Sequence, residues 1–290
     1  MTLSSDQLTA KQILSSPRPD GELCVDGDIQ LGNLVFNSTD SDGTVWIVSD
    51  LEGWWTLPEP DIPDYPLGAD DGSYETAGRY NARIFTISGV FMPSSPDMVA
   101  VSRAKLIRAA DLCRRTTWFL ARQSDFVRGS QVVLSGAPMI NTTSINGRTE
   151  FSIGLKASDP IKYAINGNTL PGWYEAQRSG SGSLSVVNEG DYPVKPILTI
   201  SGSTYGQFNI TNETTGEVLE VRKPIAGSLV IDNKMRSVTL DGQRNQRAYL
   251  DWDTDWLSLA PGSNTITVGT STGDANSATV TFQYRHGWIG

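Results

Sequence analysis

The residues of this chain that could do chemistry are few and badly spaced for it. His286 is the only histidine. A serine or cysteine nucleophile needs an imidazole within hydrogen-bond reach, and the neighbours Arg285 and Gly287 offer no nucleophile. Cys24 and Cys113 are the two cysteines. With the histidine they make three soft ligands, too few to close a zinc site. The expected state is two buried, reduced thiols, with a disulfide between them left open. Asp251, Asp253 and Asp255 stand at the first, third and fifth positions of a calcium loop. The sixth position is Trp256 where glycine is required, and the twelfth is Gly262 where glutamate is required. Their alternation reads instead as extended chain, with Trp252 and Trp256 on one face and the acids on the other. The 32 acidic residues permit so many carboxylate pairs that pairing carries no signal for glycoside hydrolysis. No phosphate-binding or dinucleotide-binding glycine motif stands between a strand and a helix. The expectation is no catalytic residue, no cofactor and no metal, and so no enzyme.

Eight tryptophans remain. Trp54, Trp55, Trp252, Trp256 and Trp288 could stack on sugar rings in a lectin-like groove, or anchor an interface. Core packing is the default for any one of them.

The elements that would position these residues are mostly strands. Residues 196–200, 208–211, 217–221, 228–232, 237–240, 265–268 and 279–284 form a ladder of short strands split by turns, the pattern of a two-sheet β-sandwich. Earlier in the chain, residues 44–48, 82–87, 131–134 and 150–155 read as strands, and Phe151, Ile153 and Leu155 share one face. Asp26-Gly27, Asp42-Gly43 and Asn146-Gly147 are hairpin-turn dipeptides. One amphipathic helix interrupts the strands. Ser95 is its expected N-cap and Pro96 its first residue. Val99, Leu106, Ala110 and Cys113 are expected on its inner face, Arg103, Lys105 and Arg108 nearer solvent, and Arg114 and Arg115 at its carboxyl end. Residues 54–78 carry four prolines and many aspartates and are expected to be an exposed excursion that cannot feed a sheet ladder.

The charge is segregated. Residues 20–78 hold fourteen acids and no Lys or Arg, whereas residues 79–128 hold nine bases against three acids. Two readings stay open: the blocks neutralise each other inside one domain, or they meet between subunits and fix register. The net charge of −9 argues against nucleic acid as a partner. No apolar run approaches the roughly 20 residues of a membrane-spanning helix, and no secretory signal is visible in the first twenty residues. The Asn-X-Ser/Thr triplets at Asn37, Asn141, Asn209 and Asn212 are given no weight.

Two groups of residues also carry a family resemblance. In the first, Gly53-Trp54-Trp55-Thr56-Leu57-Pro58 leads through the acidic loop to Asp71-Gly72-Ser73-Tyr74, Arg83-Ile84-Phe85-Thr86-Ile87-Ser88-Gly89, the helix, and Leu155-Lys156-Ala157-Ser158-Asp159-Pro160. In the second stand Val187-Asn188-Glu189-Gly190, Pro196-Ile197-Leu198-Thr199-Ile200-Ser201-Gly202, Thr214-Thr215-Gly216, Leu229-Val230-Ile231-Asp232 and Leu259-Ala260-Pro261-Gly262-Ser263-Asn264. Their order and spacing resemble siphophage distal tail proteins, often described as minor tail proteins. The resemblance implies a mainly β chain: an N-terminal β-sandwich-like, ring-forming domain (1–165) with one helix and a long hairpin or loop, a linker (166–182), and a C-terminal galectin-like β-sandwich (183–290). It implies a homohexameric ring at the tail tip, joining the tail tube to the tail-tip hub or baseplate and in some phages holding receptor-binding proteins. The location implied is the virion, with the host cytoplasm during assembly. Arg103, Arg108, Arg115, Trp54 and Trp55 are the candidate subunit-interface residues. A carbohydrate-binding adhesion module is the alternative.

Overall fold

A computed structural model describes residues 29–113, 115–123, 126–142, 147–164, 172–204, 206–243, 245–270 and 278–290. Cys24, the Asp26-Gly27 turn, Arg114 and Asn146 lie outside the described residues. The chain divides into two compact units, residues 1–162 with 289–290, and residues 163–288.

The N-terminal unit is built on a run of antiparallel strands. These are β1 (Ile29–Leu31), β2 (Leu34–Val35), β3 (Ser38–Thr39), β4 (Val45–Glu52), β5 (Pro60–Asp61), β6 (Arg79–Tyr80), β7 (Arg83–Met92), β8 (Thr117–Gln123), β9 (Phe126–Leu134), β10 (Met139–Thr142) and β11 (Thr149–Ala157). The hydrogen-bonded order is β2-β1-β8-β9-β11-β7-β4-β3, with β10 added on β11. β7 and β11 pair along nine positions, from Arg83 opposite Ala157 to Phe91 opposite Thr149. Alternation sets the core, as period two requires: Phe85, Ile87 and Phe91 on β7 and Phe151, Ile153 and Leu155 on β11 all point inward. Gly89 is demanded by proximity, since a Cβ there would collide with the Ile47 carbonyl and the Phe151 ring.

Helix α1 (Val99–Ala110) follows a 3-10 turn, Pro96–Met98, that begins after an extended Ser95. Ser95 stands where the N-cap was expected, but its side chain makes no capping bond. The buried face is Ser102, Leu106 and Ala110. Cys113, expected inside, is exposed. The helix ends three residues before it, so the helical register that would have turned it inward is lost. The Asp42-Gly43 dipeptide forms the β3–β4 turn, with Gly43 at φ 77°.

A short strand, β12 (Lys162–Ala164), runs across the division between the units. The C-terminal unit holds β13 (Tyr174–Ser179), β14 (Gly182–Asn188), β15 (Ile197–Ser203), β16 (Phe208–Asn212), β17 (Glu217–Val221), β18 (Ala226–Asp232), β19 (Ser237–Leu240), β20 (Gly262–Thr270), β21 (Thr279–Tyr284) and β22 (Gly287–Trp288). Two sheets result, β13-β21-β15-β18-β19 and β14-β20-β16-β17. Their inner faces form one core, with Leu198, Ile200, Leu229, Ile231, Val280 and Phe282 from the first against Val186, Phe208, Ile210, Leu219, Ile266 and Val268 from the second. All seven strands expected here exist. The segment expected to link the domains contains β13, paired with β21 from Tyr174 opposite Tyr284 to Ser179 opposite Thr279. Its polar, alternating sequence gives no hydrophobic run, because β13 buries only one face at a sheet edge.

Candidate assembly surface

The acidic excursion is a hairpin arm. β5 and β6 pair at its base, and Asn81 N–H donates to the Glu59 carbonyl at 2.9 Å. Further out, Tyr74 N–H donates to Tyr65 O and Leu67 N–H to Gly72 O, each at 2.9 Å. The expectation that its prolines would keep it out of a ladder is therefore corrected. A two-stranded ribbon has two free edges, and Pro60 and Pro66 sit where no N–H is needed. Leu57, Ile62, Tyr65 and Tyr74 on this arm are 57–63 % exposed. Its acids are Glu59, Asp61, Asp64, Asp70, Asp71 and Glu75, and its one cation, Arg79, bonds Asp61 at 2.7 Å.

The arm is rooted in an aromatic cluster. Trp54 is fully buried, with ring centroids 4.9 Å from Phe85 and 4.7 Å from Phe119. Lys162 Nζ lies 4.9 Å from the Trp54 ring and 5.2 Å from that of Trp55, inside cation–π range. Trp54 presents no surface to a neighbour, whereas Trp55 is 40 % exposed. Arg83, buried on β7, donates to the carbonyls of Trp54, Thr56, Pro160 and Ile289. Burial without a nearby carboxylate lowers its pKa to about 10, so it stays charged at neutral pH. No sequence pattern marked Arg83, because its partners are carbonyls that only the fold brings together.

Helix α1 carries the basic surface. Its inner side is clamped to the β3–β4 turn: Thr44 and Ser102 hydroxyls bond at 2.7 Å, and Lys105 Nζ donates to Asp40 at 2.8 Å and pairs with Asp42. Burial alone would raise the Asp40 carboxyl, but hydrogen bonds from Lys105, Trp46 and Thr44 outweigh it and hold the pKa below its usual value. Lys105 was expected nearer solvent; the two carboxylates draw it down. Arg115 turns back, donating to the carbonyls of Asp111 at 2.7 Å and Arg108 at 2.6 Å, and so closes the helix. This is the favourable use of a cation at a carboxyl end. Arg103 and Arg108 stay exposed beside exposed Val101 and Ile107. A cavity of ≈ 630 Å³ is lined by Lys105, Arg108 and Arg115 from this side and by Asp40 and Asp42 from the turn.

In the C-terminal unit, His286 is buried. Its ring centroid lies 4.0 Å from that of Tyr174, and its Nδ1 accepts from Glu189 N–H at 3.0 Å. Burial lowers its pKa, partly offset by the Glu189 carboxylate. The aspartate triplet does not converge. Asp251 pairs with Arg222 at 2.8 Å and Asp255 accepts from Val218 N–H at 3.0 Å. The extended chain expected here is broken by a turn at Trp252–Asp253, and the segment is stitched to the edge of β17 on either side of it, Asp251 N–H and Asp255 N–H donating to Glu220 O and Val218 O. Trp252 stands 80 % exposed, and Arg247 lies over the Trp256 ring at 5.3 Å. Among the described residues no group of three metal-ligating side chains converges, and no helix is long and apolar enough to cross a membrane.

The family model described as siphovirus-type tail component, C-terminal domain, matches residues 189–288. Among solved structures, the chain is similar to the SPP1 Dit protein, described as a paradigm of the hub adsorption apparatus in phages infecting Gram-positive bacteria. The TM-score is 0.58 at 15 % identity, covering 82 % of this chain and 92 % of that one. The phage P2 baseplate in its activated conformation is similar at lower scores. The calcium form gives TM-score 0.42 and 6 % identity, the strontium form 0.43 and 9 %, each covering 88 % of this chain and 96 % of that one. No curated protein matches the chain in sequence. The mainly β fold and the resemblance to siphophage distal tail proteins are borne out.

Proposed function

We propose that this chain, a siphovirus-type tail component over residues 189–288, is a non-enzymatic structural part of a phage tail tip. It assembles as a hexameric ring that joins the tail tube to the tail-tip hub or baseplate, and its C-terminal sandwich acts as a galectin-like module. The protein resides in the virion, passes through the host cytoplasm during assembly, and meets tail tube, hub and receptor-binding proteins. The observation that carries this reading is the joint match, of the C-terminal unit to a tail-component family and of the fold to SPP1 Dit. The geometry agrees with it. The acidic arm and the basic helix offer contact area instead of a reactive constellation. The experiment is the mass of the purified full-length protein in solution, followed by negative-stain imaging and labelling of intact tails. Six-fold rings at the tail tip are expected. A chain absent from assembled virions overturns the reading.

One observation favours a second reading, a carbohydrate-binding adhesion module. Trp252, 80 % exposed, is held on a backbone fixed by Arg247 Nη2 donating to its carbonyl at 3.3 Å, and a rigid exposed indole suits the face of a sugar ring. A glycan screen on the full chain separates the two readings.

A further inference from the structure

Resting on the ring reading above, we infer that the hairpin arm, residues 57–80, of one subunit docks on the outer face of α1 in the next copy of the chain.

The arm has the composition of half an interface. A two-stranded ribbon cannot bury its own apolar side chains, and Leu57, Ile62, Tyr65 and Tyr74 stay in water on it. Clustered exposed apolar side chains ringed by charge mark a docking surface. The ring of charge is acidic, and Asp61 already holds the only cation. Its partner must therefore be apolar and basic.

This chain carries such a surface. The outward side of α1 exposes Val101 at 42 % and Ile107 at 50 %, flanked by Arg103 and Arg108. Arg103 spends only one bond, at 3.4 Å to the Ile140 carbonyl, close to the limit of hydrogen-bond geometry.

The geometry also favours contact between copies over contact within one. β4 and β7 are paired, Val45 opposite Met92 at one end and Glu52 opposite Thr86 at the other. The arm departs beyond the Glu52 end and returns at Arg83. α1 is clamped at the Val45 end, through Thr44 with Ser102 and Asp40 with Lys105. The strand between these ends spans about 23 Å at the usual rise. Among the described residues no ion pair or hydrogen bond joins an acid of the arm to α1. Two unlike patches on one chain make a head-to-tail contact, which either closes into a ring or runs on as a filament. In a closed ring every arm and every helix face is used once.

The test uses charge reversal in the full chain. One variant carries Arg103→Glu and Arg108→Glu; the other carries Asp70→Lys, Asp71→Lys and Glu75→Lys. Circular dichroism first verifies that each folds. Each alone should lose self-association by about a hundredfold or more, because like charges then face each other. An equimolar mixture should recover the wild-type assembly, since each variant's arm then meets an oppositely charged helix. As a second measurement, Ser73→Cys in a Cys24→Ser background should form disulfides with the exposed Cys113 of the neighbouring copy. Oxidation should then give a covalent ladder ending at the closed ring. Wild-type-sized rings from either reversed variant alone would overturn the contact and leave the ring reading standing. So would an arm that binds another tail protein while rings persist unchanged. A wild-type chain that stays monomeric with and without its tail partners removes the ring reading, and this inference with it.

Discussion

Arg83 and Trp54 are joined twice. The Arg83 Nη1 donates to the Trp54 carbonyl at 3.2 Å, and the guanidinium carbon lies 5.8 Å from the centroid of the Trp54 ring. The same side chain reaches the carbonyls of Thr56, Pro160 and Ile289. One buried arginine thereby fixes the base of the arm against β7. Arg83→Met should leave several buried carbonyls without donors and destabilise the N-terminal unit by about 3 kcal/mol or more. Arg83→Lys should recover little, because an ammonium lacks the planar fork of donors. Urea denaturation measures both.

Trp54 and Trp55 are adjacent in sequence and opposite in role. Trp54→Ala should cost about 3–5 kcal/mol as a large buried ring removed from a packed cluster. Trp55→Ala should cost less than about 1 kcal/mol, while weakening any assembly that uses the exposed part of its ring. Equilibrium unfolding separates the first effect, and sedimentation the second.

The clamp at the other end of β4 is electrostatic. Asp40 has a lowered pKa and Lys105 a raised one, each despite burial. The Asp40 contribution is present above the ordinary carboxyl value of 3.8 and lost as pH falls through the lower folded value. The Lys105 contribution is present below 10.5 and lost as pH rises through the higher folded value. Asp40→Asn should destabilise the N-terminal unit by about 1.5–3 kcal/mol near neutrality and flatten its acid-side loss. Thermal melts across the pH range follow both.

His286 makes the C-terminal unit sensitive to mild acid. Its folded pKa lies below 6.5, so the unfolded chain takes up the proton first. Stability is whole above that value and declines as pH falls from it toward the folded pKa. Protonation would also remove the lone pair of Nδ1 that accepts from Glu189 N–H. The groups facing the ring are Glu189, Tyr174 and Tyr284. The melting temperature of this unit should drop as pH falls below 6.5, and His286→Gln should lose most of that slope.

Trp252 packs on nothing that needs it. Trp252→Ala should change stability by less than about 0.5 kcal/mol. On the structural reading, a glycan screen should be blank for wild type and variant alike. Binding that vanishes with the variant would favour the adhesion module.

The sequence by itself determined the β character, the seven strand positions of the C-terminal sandwich, the helix after Ser95 and the separation of acid from base. These are local properties: period-two alternation, helical spacing and turn dipeptides are written within a few residues of where they act. The tertiary structure alone decided what each side chain faces. It buried Trp54 and exposed Trp55, brought Arg83 to four carbonyls from distant segments, and placed His286 under Tyr174. It ended α1 early enough to expose Cys113. It also put the acidic arm and the basic helix at opposite ends of β4, which bears on the charge question that composition left open. Pairing partners far apart in the chain leave no short-range mark, because the free energy that selects them comes from burial and hydrogen bonds formed only once the sheets have closed.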